Sequence, residues 1–378
     1  MKTHFCKLFT LAVAVSLAAT AGAKEEPRFK TQRPLVQVAI LLDTSNSMDG
    51  LISQAKSQLW KIVNEFNHAR QDREMPEVQV ALFEYGNNNL SAQAGYIRKV
   101  SDFTSDLDLI SEKLFALKTN GGEEYCGWVI KDALNRLEWS PSPRAYKAIF
   151  IAGNEPFTQG PEDYRDPCKA AHARGILVNT IHCGDERTGV ETMWRDGARL
   201  ADGKYLVIDQ DRAVAYVEAP QDQKIAKLST DLNGTYLAYG RAGAESSTRQ
   251  ETQDRNAATV AASGAVVARA VAKSSAHYSN SRWDLVDAAK DKEFKLDGLK
   301  EAELPAALQG LAPSQRKEFV EKKAQERAAL QAKINTLNSA REKFVTAKMK
   351  TDTATNTLDN VVITTVREQA RTREFTFD

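Results

Sequence analysis

The residues best suited to chemistry in this chain are Asp43, Ser45 and Ser47, set at alternate positions in the run Asp43-Thr44-Ser45-Asn46-Ser47-Met48. One carboxylate and two hydroxyls on a tight loop are hard oxygen donors, the ligands that Mg²⁺, Mn²⁺ and Ca²⁺ take. A helical pattern follows Gly50, and the amino end of a helix favours anionic groups nearby. Mg²⁺ usually keeps waters or a partner's carboxylate among its ligands, so such a loop is built to be completed from outside. The competing reading is local, because Ser and Asp at a helix start often only cap the helix. A second acidic feature is the pair Glu123-Glu124 in a Gly-rich loop, which could serve acid/base work with a metal-activated water. No P-loop, G-x-G-x-x-G, nucleophile elbow or H-E-x-x-H accompanies it, and no activated nucleophile is visible.

These groups need elements to hold them. From Pro34 to about Asp209, apolar runs alternate with helical patterns, the signature of an α/β sheet with mostly parallel strands. The run 36–42 (VQVAILL) is nearly continuous in apolar residues, as a central strand covered on both faces should be. Further strands are expected over 78–85, 96–100, 148–152, 176–182 and 205–208, with helices over 51–70, 107–117, 127–137, 161–174 and 190–200. The segment 78–100 predicts an antiparallel hairpin at one edge, turning at Gly86-Asn87-Asn88-Asn89. Open sheets of this kind bind ligands at the carboxyl ends of their strands, where the Asp43 loop falls.

On these residues the stretch 34–211 resembles a von Willebrand factor type A domain, whose D-x-S-x-S loop opens a metal-ion-dependent adhesion site. The resemblance implies a doubly wound, six-stranded, Rossmann-like sheet and a Mg²⁺ or Mn²⁺ ion in preference to Ca²⁺. In that family a second loop supplies a ligand after a Gly-Gly pair. Here Gly121-Gly122 precede Glu123, which falls at the ligand position. A third loop supplies an Asp after a buried strand. In this chain Asn154 stands nearest that place, with Glu155 beside it, so one negative charge is missing and the cation should be held more weakly. The implied metal ligands are therefore Asp43, Ser45, Ser47, Glu123 and Asn154.

Residues 1–23 look like a secretory signal: Lys2 and Lys7 precede an apolar run that is too short to span a membrane, and Ala21-Gly22-Ala23 offers a cleavage site. Export to the periplasm or beyond follows, with 24–33 as a linker and no stable membrane anchor. Of four cysteines, Cys6 would leave with the signal, placing Cys126, Cys168 and Cys183 in a disulfide-permissive compartment. Cys168 begins a helix and Cys183 ends the next strand, so both are expected at the carboxyl edge, and a Cys168–Cys183 bridge is favoured over either pairing with Cys126. The alternative is a zinc site of Cys168, His172, His182 and Cys183, weakened because adjacent strand residues point to opposite faces. Cys126 is then a small buried residue or a free thiol.

The chain has 378 residues, 42% of them hydrophobic and 27% charged, with 51 Lys+Arg against 50 Asp+Glu. Removing Lys2 and Lys7 leaves 49 bases against 50 acids, a balance with little long-range pull on nucleic acid or anionic membranes. Beyond the domain expected at 34–212, residues 213–378 predict an appended, mainly helical region. Its longest helix is expected over 314–349, with Leu330, Ile334, Leu337 and Phe344 on one stripe. That stripe covers about two heptads, short of the three or four that argue a coiled coil, so packing on neighbouring helices is the favoured use. The arrangement is similar to exported bacterial proteins that pair a type A domain with such a region, on Cys168-Lys169-Ala170-Ala171, Ile181-His182-Cys183-Gly184 and Asn233-Gly234-Thr235-Tyr236.

The expectation is a non-enzymatic binding module that captures an acidic group of a partner protein through a bound divalent cation. Self-association through the C-terminal helices accompanies it. The alternatives are a metal-assisted hydrolase using Glu123 and Glu124, and an adaptor that binds through its helices with a degenerate metal site.

Overall fold

The computed structural model describes residues 33–208, 216–260, 264–349 and 358–377, so the expected export signal and most of the linker lie outside the described residues. Its first strand, β1 (Leu35–Asp43), is buried along nearly its whole length. An unbroken apolar run needs cover on both faces, and that places β1 in mid-sheet. There follow α1 (Asp49–Glu65), β2 (Ala69–Arg70), β3 (Glu77–Tyr85), β4 (Ile97–Thr104), α2 (Leu107–Phe115), α3 (Cys126–Arg136) and β5 (Tyr146–Gly153). The α/β part closes with α4 (Arg165–Ala173), β6 (Leu177–Cys183), α5 (Glu186–Glu191), α6 (Trp194–Leu200) and β7 (Tyr205–Ile208).

The six-stranded sheet has the order β4-β3-β1-β5-β6-β7. All neighbours are parallel except β3 and β4, which form the expected antiparallel edge pair. Each of the six expected strands is present; the helix expected over 190–200 is instead two, divided at Met193, whose φ is 73°.

Crossovers between parallel strands are right-handed. The step from β1 toward β3 therefore lays α1 on one face, while the steps from β5 to β7 lay α4 and α6 on the other. On that second face Val129, Ile130, Ala171 and Trp194 share a core layer with Ala39, Leu41, Ile149 and Ile151. The first face would be bare over β5 to β7. It is closed by a helix from the far end of the chain.

That C-terminal region contains α7 (Asp222–Asn233), α8 (Gly243–Thr259), α9 (Ala265–Lys273), α10 (Leu285–Ala288), α11 (Pro313–Met349), α12 (Leu358–Arg371) and β8 (Thr376–Phe377). The Ala-rich stretch 251–272 is shared by two helices, α8 and α9, with Gly264 at φ 76° ahead of α9. Helix α12 packs on α1 and β7. Its Val362, Val366 and Ala370 join the layer built on Val36, Val38, Phe150 and Leu206. Gln369 accepts from the Tyr146 hydroxyl at 2.9 Å and exchanges amide hydrogen bonds with buried Asn179 at 3.1 and 2.7 Å. β8 pairs antiparallel with β2.

A buried ionic seam ties the other helices down. Arg269 of α9 meets Asp108 of α2 at 2.6 Å, and Lys273 meets Asp254 of α8 at 2.9 Å. Burial pulls the Lys273 ammonium down to about 8, against the opposing attraction of Asp254. On α11, Leu330, Ile334 and Leu337 pack on Ile225, Leu232, Val267 and Val271, so the stripe is spent within the chain. Phe344 stays 37% exposed.

Candidate metal centre

Three strand ends meet at one place. In the sheet register Asp43 lies opposite Tyr85 of β3, and Leu42 lies opposite Ala152 of β5. The chain leaves β1 toward β3 and leaves β5 toward β6, so β1 and β5 flank the point where strand order reverses, the usual ligand crevice of such sheets. The loops after Asp43 and after Gly153 form its two walls.

The Asp43 loop is held by its neighbours. Thr44 donates its N–H to Tyr85 O at 2.9 Å, and Asn120 donates to Thr44 O at 2.9 Å, which draws the loop before α3 against it. The Asn87 amide donates to Lys118 O at 2.9 Å, joining the loops after β3 and α2. Two glycines make the approach possible. A Cβ on Gly122 would stand 2.3 Å from Gly86 O, and one on Gly86, whose φ is 76°, would stand 2.8 Å from Asp43 Oδ1. At Gly86 the backbone conformation also favours glycine.

Asp43 is fully buried and accepts the Ser45 N–H through Oδ1 at 2.7 Å. Its Oδ2 is buried with no hydrogen-bond partner among the described residues. Burial is the main force raising its carboxyl to about 8; the Ser45 N–H opposes this, and the charges of Glu124 and Glu155 add to it. Glu124 is pushed up to about 7, chiefly by burial and next by Glu155, while the Ser45 hydroxyl opposes the rise. The Ser45 and Ser47 hydroxyls lie 3.4 Å apart. Asn154 donates from Nδ2 to Ser47 Oγ at 3.2 Å, leaving its Oδ1 buried and unpartnered among the described residues.

The capping reading of the two serines fails on this geometry. Ser45 occupies the N-cap position of the short turn 46–48 without a side-chain cap bond, and Met48 precedes α1 likewise. The Ser45 hydroxyl instead acts on the Asp43 and Glu124 carboxylates, and the Ser47 hydroxyl meets Ser45 and Asn154.

Asp43, Ser45, Ser47 and Asn154 are thus brought together. Glu123 is exposed, and its successor Glu124, 5% exposed, is the acid that reaches Ser45. The signal for Glu124 was its distance from α3: a ligand just before a buried helix start must point inward, and Cys126 begins that helix. Glu155, whose charge acts on both Asp43 and Glu124, also belongs to the constellation.

A divalent cation would find two carboxylates, two hydroxyls and an amide oxygen here, a donor set of the hard type. The orphaned Asp43 Oδ2 and Asn154 Oδ1 are the atoms such an ion would satisfy. Among the described residues no group of three or more His, Cys, Asp or Glu is placed to hold a metal ion, so a cation here would have to rest on the hydroxyls and the amide as well.

The Cys168–Cys183 bridge is not formed: Cys126, Cys168 and Cys183 are all free and buried. Cys168 belongs to the core layer on one face of the sheet and Cys183 to the layer on the other, so the sheet separates the two thiols. The zinc alternative also disperses. His172 is half exposed beside Asp202 at 3.2 Å, whereas His182 is buried against Trp194 with ring centroids 5.6 Å apart. Burial raises all three thiols well above their ordinary range, with Cys168 at about 12. They are poor nucleophiles there.

No protein-family model and no curated protein matches the chain. Among solved structures it is similar to conserved hypothetical protein BatB from Bacteroides thetaiotaomicron, with 19% identity and a TM-score of 0.35 over 46% of this chain and 90% of that one. It is similar to an aerotolerance-related membrane protein from Bacteroides fragilis, at 19% identity and a TM-score of 0.33 over 46% and 92% of the two chains. A von Willebrand factor type A structure from Catenulispora acidiphila gives 16% identity and a TM-score of 0.35 over 47% and 40%. The strand order, the antiparallel edge and the Asp43 loop at the switch point are themselves those of a von Willebrand factor type A-like α/β fold with a helical C-terminal region.

Proposed function

We propose that this chain is an exported binding module in which a Mg²⁺ or Mn²⁺ ion, held by Asp43, Ser45, Ser47, Glu124 and Asn154, captures a carboxylate of a partner protein. The observation that carries this reading is the buried, unpartnered Oδ2 of Asp43 among further oxygen donors and beside Glu124, with no cation of the chain paired to either carboxylate among the described residues. A cation supplies the missing charge and leaves a coordination position for an external acid. The chain's own residues orient that position: Ser45 and Ser47 fix the loop, and Asn154 braces Ser47 from the opposite wall.

Asn154 in place of a third acid supports a weakly held ion, so capture should depend strongly on free cation concentration. No described helix is long and apolar enough to cross a membrane. Export rests on the sequence pattern of residues 1–23.

The test is a pull-down from envelope extract with the mature chain and Asp43→Ala, with and without chelator. Partners retained by the wild type in Mn²⁺ and lost both on chelation and in Asp43→Ala support the proposal. Equal retention in all arms would move the binding surface to the helical region. Steady hydrolysis of an envelope polymer, abolished by Glu124→Gln, would favour the hydrolase instead.

A further inference from the structure

We infer that His182 is an acid-sensing latch: closed while its ring is neutral, it releases α5 on protonation and loosens the loop that carries Asn154 and Glu155. The latch regulates the cation site proposed above, and its consequence for capture rests on that reading.

His182 lies near the carboxyl end of β6 and is 1% exposed. Both ring nitrogens are buried with no hydrogen-bond partner among the described residues. An imidazole always carries at least one N–H, so the neutral ring leaves one donor unmet and the charged ring leaves two. Two glycines close over it. A Cβ on Gly184 would stand 2.8 Å from Nε2, and one on Gly189 would stand 2.7 Å from Cδ2. Burial holds the imidazole below its ordinary value of 6.5, against the pull of Asp185 toward the charged form.

The cover is light. Gly189 is the one buried residue of α5, so this short helix has no buried side chain to anchor it. The Tyr205 hydroxyl donates to Glu186 O at 3.0 Å, and Phe157 donates its N–H to Thr192 O, just beyond α5, at 2.9 Å. The second bond ties α5 to the loop 154–157. Trp194, against the His182 ring, holds the same loop by donating its indole N–H to Glu155 O at 2.8 Å. A segment with so few buried contacts opens locally at low cost.

Charge around the ring is sparse. Asp185 caps α5 by accepting the Thr188 N–H at 2.9 Å, and α5 itself brings Glu186 and the exposed Arg187–Glu191 pair at 2.8 Å. Arg195 of α6 acts on the Tyr205 hydroxyl of β7, and β5 sets Gly153 opposite His182, with Glu155 in the loop beyond. Opening gives the imidazolium the water that the closed site denies it. The closed form therefore binds fewer protons than the open form, and opening rises as pH falls through 6.5. Asp43 and Glu124 act in the opposite sense, because the cation-free fold gains stability as they protonate.

Hydrogen exchange of the mature, cation-free chain, read by mass spectrometry at pH ~7.5 and pH ~5.5 and corrected for intrinsic rates, tests the latch. On acidification the opening equilibrium of 154–157 and 185–193 should rise severalfold, and at most about tenfold, while β1 keeps its protection. His182→Phe keeps a ring without nitrogens and should remove the rise. His182→Gln, smaller and neutral, should do the same and serves if the phenyl ring does not pack. Unchanged or greater protection of 185–193 in the acidified wild type, or the same loss in a folded variant lacking the imidazole, would overturn the inference. No cation is present, so the latch and the cation site can fail separately.

Discussion

Asp43 and Glu124 meet across Gly86: a single Cβ added there would stand 2.8 Å from Asp43 Oδ1 and 2.8 Å from Glu124 Cγ. Two acids from separate loops are thus held side by side over a residue that has no side chain. Gly86→Ala should push them apart and strain a backbone at φ 76°. Mn²⁺ affinity should fall by about tenfold or more, while the melting temperature drops by only a few degrees, consistent with roughly 1–2 kcal/mol of backbone cost. Calorimetry and thermal melts of the same preparation check both.

The two adjacent glutamates should behave differently. Glu124→Gln removes a buried charge beside Asp43 and should weaken Mn²⁺ binding by about tenfold or more, whereas Glu123→Gln, at an exposed position, should change it by less than about twofold. Asn154→Asp restores a third charge and should tighten binding. A titration series over the three variants and wild type would expose any other order.

The site also makes a pH prediction. Asp43 and Glu124 titrate near 8 and 7 in the fold, against ordinary values of 3.8 and 4.5. The folded chain therefore holds more protons than the unfolded one across that interval, and the cation-free fold loses stability as pH rises from about 4 to about 8. A bound cation needs both groups deprotonated, so its uptake releases protons and strengthens with pH over the upper part of that range. The rise in melting temperature on adding Mn²⁺ should be larger at pH ~8 than at pH ~5, and buffers of different ionisation enthalpy should reveal the released protons.

Helix α12 is a layer of the α/β core, so its loss should be felt throughout the sheet. Val366→Ala removes two methyl groups from a fully buried position and should cost roughly 1–3 kcal/mol. A chain ended before Leu358 exposes the β5–β7 half of one face and should lose cooperative unfolding. Urea melts followed by near-ultraviolet circular dichroism distinguish this from a merely attached helix, whose removal would leave the transition of the sheet intact.

Much of this was legible in the residues. Continuous apolar runs such as 36–42 mark buried parallel strands strongly, and Asp43-x-Ser45-x-Ser47 marks the strand end that bears the loop. Glu124 was harder to see beside Glu123, because which of two adjacent acids turns inward depends on where α3 begins and on room at Gly86. The cysteines misled because proximity to one edge says nothing about face, and Cys168 and Cys183 lie in layers on opposite faces. The return of α12 to the sheet was invisible locally: its apolar stripe fits any neighbour, and only the bare face left by right-handed crossovers selects this one.

The central claim is that Asp43 anchors a divalent cation, and direct calorimetric titration of Mn²⁺ and Mg²⁺ into the mature chain and into Asp43→Ala tests it most simply. One equivalent bound by the wild type, with proton release, and none by the folded Asp43→Ala variant is the predicted result. Identical heats from the two proteins, or no binding by the wild type at millimolar cation and pH ~8, would contradict it.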